Sequence, residues 1–417
     1  MSISRLMMIV VLGGGVLLPG GRAALAEAES PAVSPAASPA AGLVTWRVVS
    51  EVPLMDGQTS AGLAGVFAGA LDDTHALMAG GTFYEGKGPL DGGQRTFSDA
   101  LLILEQSPGA AGAPPSYAWS TPEMTLPGPL AYGASVTLDD GVLLIGGMDG
   151  TECVTDVRLA SWDRAEERLK MVDFPPLPKP LAYAGAGRVG SWVMVVGGMT
   201  TPDGDGGDDV FGLDLAGRDE GDSWAWQTLP ALPVSVQLPI VVGEEGDDGR
   251  ALHVFGGRDQ RPQARGRVMA EGWRFDPVTQ QWSASGPIKL AGATGTVRVM
   301  GGAAVALEDR RLLLLGGDDG VLAQILEANS RRGGLEEERA AYTKLNAAIL
   351  AAHPGHRREQ LLYDVRRGVW RAAGSFPVAT PAVTPAFVWD GAIILMGGEP
   401  APGRRSAAVW LGAMEAE

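Results

Sequence analysis

Six times along the chain an apolar run ends in Gly-Gly: at residues 77–81, 143–147, 194–198, 253–257, 313–317 and 394–398. The first glycines, at 80, 146, 197, 256, 316 and 397, are 66, 51, 59, 60 and 81 residues apart. A second marker agrees, because Pro-Leu-Ala-Tyr stands at 129–132 and again 51 residues on at 180–183. Self-similarity at this period belongs to propellers, solenoids and arrays, in which one supersecondary unit is repeated.

Each unit has the makings of a four-stranded antiparallel sheet. An apolar stretch precedes the Gly-Gly run, as at 63–70, 130–138 and 181–189. A polar loop and a third apolar run follow, and then a segment marked by tryptophan at Trp119, Trp162, Trp226, Trp282 or Trp370. Glycine pairs at the end of the second strand let neighbouring backbone approach without a Cβ clash. The sixth unit lacks a fourth strand, while residues 43–49 (Leu-Val-Thr-Trp-Arg-Val-Val) precede the first unit without a partner. Pairing the two closes a ring and hides the edge strands that an open stack exposes. The expected fold is therefore all-β: one six-bladed propeller over residues 43–417.

Residues 321–361 interrupt the fifth unit with two helix-favouring pieces split by Gly333-Gly334. Glu336, Glu337 and Glu338 open the second piece, where the positive end of a helix dipole favours acids, and Pro354-Gly355 ends it. This insertion is a surface excursion, a cap over the propeller mouth, or a subunit contact in a homodimer; the residues leave the three open.

Composition narrows the partners. The 417 residues are 45% hydrophobic and carry a net charge of −16. That balance argues against nucleic acid, whose phosphates demand a basic face, and an anionic ligand needs a local Arg or Lys. The N-terminus has the form of a signal peptide (1–26), with basic Arg5, an apolar core at 6–18 and a small-x-small site at Ala24-Leu25-Ala26. An Ala/Pro/Ser-rich linker follows at 27–42. The expectation is an exported protein, periplasmic or secreted, with no membrane span after the signal is removed. Cys153 is the one cysteine, so the fold holds by core burial rather than by a disulfide.

The irregular repeat is the last. Glu399 directly follows the sixth Gly-Gly, and Pro-Ala-Pro-Gly at 400–403 turns the chain so that Arg405 returns toward it. A carboxylate can move a proton to or from a hydroxyl, and a guanidinium can hold a substrate carboxylate by two parallel bonds. A loop salt bridge on a solvated surface fits the same spacing.

The Gly-Gly blades with trailing tryptophan look like kelch repeats. More specifically, the chain resembles the N-acetylneuraminate epimerase (sialic acid mutarotase) family in its cyclically permuted branch, over residues 43–413. Three stretches carry the likeness: Gly-Leu-Ala-Gly-Val-Phe-Ala-Gly at 62–69, Pro-Leu-Ala-Tyr-Gly at 129–133, and Gly-Glu-Pro-Ala-Pro-Gly-Arg-Arg at 398–405 after a helical insertion. The resemblance implies interconversion of the α and β anomers of N-acetylneuraminate or a related acidic sugar by ring opening, without cofactor or metal. It gives Glu399 the acid/base role and Arg405 the sugar carboxylate. Tyr132, Tyr183 and Gln237 join Arg405 as substrate-binding candidates, the tyrosines being expected on inner strands, where they line the channel or pack in the core. Two positions depart from the family pattern: Phe83 stands where Asn is expected, and Gln237 where Arg is common. Their loss favours the alternative of a non-catalytic propeller that binds a glycan or protein in the cell envelope.

Other candidates read more simply. His353 and His356 lack nearby metal-ligating partners in sequence and fit a solvated turn. Asp203, Asp205, Asp208 and Asp209 form a solvated acidic loop without the closing Glu of a calcium loop. Cys153 is a small buried residue rather than a nucleophile.

Overall fold

The computed structural model describes residues 42–53, 62–85, 93–110, 113–218, 221–246, 249–259, 266–330 and 336–415. The expected signal peptide, all but the last residue of the linker, and the Gly333-Gly334 break lie outside the described residues.

Six four-stranded antiparallel sheets form the blades of a propeller. Their inner strands are Phe67–Ala70, Ala134–Leu138, Gly185–Val189, Ile240–Glu244, Ala303–Leu307 and Ala386–Trp389, in blades 1 to 6. The Gly-Gly runs form the second strands; two of them, Gly141–Ile145 and Ala251–Phe255, are buried at every residue and the other four at all but the first. Strands covered on both faces read as continuous apolar runs, and these do. One hydrophobic cluster fills each of the six interfaces between neighbouring blades. Trp119, Trp282 and Trp370 lie on outer strands, whereas Trp162 belongs to the third strand of its blade, Val157–Asp163.

Closure occurs in blade 6. Val44–Glu51 supplies its outer strand, pairing antiparallel with Ala408–Met414 from Val44↔Met414 to Glu51↔Ala408. The N-terminal strand thus completes the sheet that the C-terminal repeat leaves one strand short.

The glycine pairs have a specific task. At Gly256 (φ +60°) a Cβ would sit 2.0 Å from the Val299 carbonyl oxygen, and at Gly397 (φ +69°) 2.5 Å from that of Leu63. The same two carbonyls accept the N–H of the second glycine, Gly257 at 2.8 Å and Gly398 at 2.7 Å. The next blade's backbone therefore docks onto the strand end where any side chain would stand.

Just inside, the backbone closes on itself. Tyr132 N–H donates to Gly65 C=O, Tyr183 to Tyr132, Leu238 to Tyr183, Gly301 to Leu238, Val383 to Gly301 and Gly65 to Val383, at 2.8–2.9 Å. All six residues have φ between +53° and +70°. This ring separates an axial cavity of about 440 Å³ along the inner strands from a wider mouth on the Gly-Gly side.

The insertion in blade 5 forms two helices, α1 (Val321–Ser330) and α2 (Glu336–Ala351), joined by an Asn329–Asn346 hydrogen bond at 2.8 Å. No helix among the described residues is long and apolar enough to cross a membrane.

A charged group is buried at the interface of blades 4 and 5. Glu244, 1% exposed, lies 2.9 Å from His253 Nε2 and is also bonded by Arg310 Nε. Burial pushes its carboxyl up, but the bonds from His253 and Arg310 outweigh this and hold it below the usual carboxylate value of 4.5. A depressed folded value contributes stability that is present above the unfolded value and lost as pH falls toward the folded one. Thermal melts should therefore weaken as pH drops below 4.5. Glu244→Gln should flatten that acid limb and destabilise the protein at pH 7 by roughly 1–3 kcal/mol, because buried His253 and half-buried Arg310 lose a charged hydrogen-bond partner.

Candidate active site

The ring of backbone bonds forms the floor of the mouth, and an equivalent position in each blade stands above it, four of the six lining the cavity. The residue after each Gly-Gly pairs with the residue just before the ring: Ala64↔Thr82, Ala131↔Met148, Ala182↔Met199, Gln237↔Arg258, Met300↔Asp318 and Ala382↔Glu399. The bridge fixes these residues in one register around the axis. Thr82 is buried and bonded within the site; Met199, Arg258, Asp318 and Glu399 line a cavity of about 760 Å³.

Glu399 and Arg405 meet in this cavity. Arg405 Nη1 lies 3.1 Å from Glu399 Oε1, which also accepts the Gly403 N–H. The turn at 401–404 closes through an Ala401↔Arg404 bridge, bringing the guanidinium back as the prolines suggest. Arg405 is nevertheless a buried group, its side chain 6% exposed against 19% for Glu399. Its Nε and Nη2 donate to the Thr82 carbonyl and hydroxyl at 3.2 and 3.1 Å, Nη2 lies 3.4 Å from the Tyr132 hydroxyl, and the guanidinium stacks 5.0 Å over Tyr84.

Tyr132, Tyr183 and Gln237 line the same cavity. The two tyrosines precede the inner strands rather than lie on them: they are ring residues, with φ of 60° and 54°. Their aromatic rings pack with centroids 4.7 Å apart, and the Tyr132 hydroxyl is 2.8 Å from the Thr82 hydroxyl. Burial pushes the Tyr183 hydroxyl well above its ordinary value. Gln237 Nε2 donates to Gly204 C=O at 2.9 Å, tying the wall to the 202–204 loop. Phe83 does not face the cavity; it packs in the core between blades 6 and 1, and neighbouring Tyr84 faces the site instead.

Four polar side chains that the sequence does not single out also line the cavity: Tyr84, Arg95, Arg258 and Asp318. Two of them, Arg258 and Asp318, had a signal in sequence, since they occupy the same place after Gly-Gly as Glu399. The 353–356 turn is also not a solvated one. His356 is buried, lines the cavity and sets Nδ1 3.3 Å from Asp318 Oδ2. Burial pushes the Asp318 carboxyl up, but the adjacent His356 imidazole and the Gly320 N–H outweigh it and leave it below its ordinary value. Burial and neighbouring His356 push His353 down. The insertion reaches the site directly: Ala323 of α1 lines the cavity, the His356 N–H donates to Pro400 C=O at 2.8 Å, and Arg404 Nη2 donates to Ala351 C=O at 3.0 Å.

Asp203 lines the cavity, while Asp209 pairs with Lys179 at 2.9 Å. Among the described residues no group of three or more His, Cys, Asp or Glu is arranged to hold a metal ion. Cys153 is buried, which pushes its thiol up to about 11 and away from nucleophilic use at neutral pH.

The family described as N-acetylneuraminate epimerase matches residues 174–417, a narrower span than the expected 43–413. The N-acetylneuraminate epimerase of Yersinia pestis (strain Pestoides F) is 28% identical over 249 residues, 58% of each chain. That of Pasteurella multocida (strain Pm70) is 24% identical over 246 residues, 57% of this chain and 58% of the relative. The chain thus spans about 58% of the length of these curated relatives. A solved structure titled "Structure of YjhT" aligns with TM-score 0.56 and 15% identity, over 88% of this chain and 97% of that one, a likeness of fold. Tyr183, Gln237, Glu399 and Arg405 fall inside the family match; Thr82, Arg95 and Tyr132 lie before it.

The Asp318–His356 pair makes a prediction for stability. Asp318→Ala removes the group facing a buried imidazole nitrogen and should cost about 1–3 kcal/mol at pH 7, measured by urea denaturation.

Proposed function

The chain belongs to the N-acetylneuraminate epimerase family, and we propose that it is an exported mutarotase, periplasmic or secreted, acting on N-acetylneuraminate or a closely related acidic sugar. The observation that carries this reading is the meeting of Glu399 and Arg405 at 3.1 Å in the ring mouth. The cavity of about 760 Å³ lies within the roughly 300–1,000 Å³ usual for small-molecule sites.

The chemistry asks little beyond a placed base and a shaped pocket. Glu399 takes the proton of the anomeric hydroxyl through the oxygen that Arg405 and Gly403 do not hold. The electron pair left on that oxygen forms the open-chain carbonyl, and the bond from the anomeric carbon to the ring oxygen breaks. The ring oxygen leaves with its electron pair and receives the proton that Glu399 has taken, which restores the carboxylate. The carbonyl turns, and the same hydroxyl adds to its other face with the proton transfers reversed. General acid–base assistance of this kind contributes about 10²–10⁴-fold. Arg405, held by Thr82 and stacked on Tyr84, fixes the Glu399 carboxylate, and fixed geometry lowers the barrier without further contacts.

Freshly dissolved α-N-acetylneuraminate, followed by NMR or optical rotation, should equilibrate faster with the wild-type protein. Glu399→Gln, which keeps the shape but cannot accept the proton, should lose about 10²–10⁴-fold of that acceleration. A wild-type protein that leaves the spontaneous rate unchanged removes the enzymatic reading and leaves a propeller that binds a glycan or protein.

A further inference from the structure

The ulosonic acids to which this reading points carry their carboxylate on the anomeric carbon itself. Whatever holds that carboxylate must therefore stand close beside the group that moves the anomeric proton. Arg405 is the nearest cation to Glu399, but its side chain is 6% exposed and its guanidinium is already engaged by Glu399, Thr82, Tyr132 and the Tyr84 face. To grip a substrate carboxylate it would have to leave Glu399.

A second guanidinium converges on the same point. Arg95 sits on the short hairpin Thr82–Tyr84/Arg95–Phe97, directly across from Tyr84. It is exposed, lines the mouth cavity, and lies 5.2 and 5.3 Å over the Phe97 and Tyr132 rings. Its Nη1 is 3.4 Å from the Tyr132 hydroxyl, the same distance at which Arg405 Nη2 stands from that oxygen. The two guanidinium groups are thus within twice that distance of each other. Among the described residues Arg95 meets no carboxylate within ion-pair distance, and Glu399 is spent on Arg405. Two cations around one neutral hydroxyl with one anion between them leave positive potential unanswered on the Arg95 side. In a protein of net charge −16 such a local excess sets where an anion docks.

We propose that Arg95, with the Tyr132 hydroxyl beside it, is the group that binds the substrate carboxylate, and that Arg405 is a positioning residue for Glu399. The aromatic faces under Arg95 hold its plane, and its exposure to the mouth opens it to a planar anion, a use that suits arginine and not lysine. Arg258 stands elsewhere around the mouth, on blade 4 beside Gln237, and is not a partner to the Tyr132 hydroxyl in this arrangement. The assignment rests on the acidic-sugar reading above.

The test measures binding and exchange separately on the whole chain. Calorimetric titration with N-acetylneuraminate and with its neutral methyl ester is run on wild type, Arg95→Gln and Arg95→Lys, and anomer exchange is followed by NMR in the same samples. Arg95→Gln should weaken binding of the acid about 10–100-fold, the size of a charged hydrogen bond lost, and leave the ester unaffected. Exchange at acid concentrations well below saturation should fall with the affinity, by the same factor of about 10–100. Arg95→Lys should recover only part of the affinity. Undiminished acid binding by Arg95→Gln overturns the assignment, as does equal loss of acid and ester, which marks a merely structural role. A wild type that binds the acid without exchanging anomers defeats the mutarotase reading while the Arg95 comparison still decides the anchor. A wild type that binds neither compound defeats both.

Discussion

The structure depends on a closed ring of six backbone hydrogen bonds, one from each blade to the next, through Gly65, Tyr132, Tyr183, Leu238, Gly301 and Val383. Each bond contributes only about 0.5–1.5 kcal/mol net, and four of the six residues hold a left-handed backbone without being glycine. That conformation is costly for a side chain, above all for β-branched Val383. It is tolerated because every member of the ring is fixed from both sides, by its own inner strand and by the neighbouring blade. The ring is closed only if all six blades are present, so the pairing of Val44–Glu51 with Ala408–Met414 and the axial ring are two expressions of one constraint.

Two features of the site follow from that constraint. The ring narrows the axis and gives the mouth a floor that sets it apart from the apolar channel along the inner strands. It also registers the residue after each Gly-Gly pair, because the bridge that holds this residue belongs to the same segment that enters the ring. Chemistry can then be changed blade by blade without altering the scaffold: Thr82, Met148, Met199, Arg258, Asp318 and Glu399 occupy equivalent places and range from apolar to cationic and anionic. Blades 5 and 6 take carboxylates, and each is met by a base from its own blade's irregular segment, His356 after the helices and Arg405 after the proline turn.

The helical insertion gains a role from this arrangement. Its helices contribute little to the core, and α2 has no buried residue. Its contribution lies at its ends, where Asp318 and Ala323 enter the cavity wall and the segment after α2 bonds to Pro400. The insertion therefore adds a brace to the loop that carries Glu399 and Arg405, beside the Ala382↔Glu399 bridge and the Ser406 N–H to Gly398 C=O bond.

The architecture was legible in the chain because repetition is a one-dimensional property. Spaced Gly-Gly runs, an unpaired strand at the start and a missing one at the end state the blade count and the closure without any coordinates. Glu399 and Arg405 were legible for a related reason, since they break the repeat within six residues and a proline-glycine turn brings them together locally. The other groups of the site belong to separate blades, and only closure of the ring sets Arg95, Tyr132 and Thr82 against Arg405. Burial, too, is a property of the assembled ring: the sequence marks His356 and Arg405 as polar, but only packing against Asp318, Thr82 and Tyr84 decides that they are enclosed and engaged. Sequence determined which residues each blade carries; tertiary structure decided which of them meet, because contacts across blades depend on a circle that no local spacing encodes.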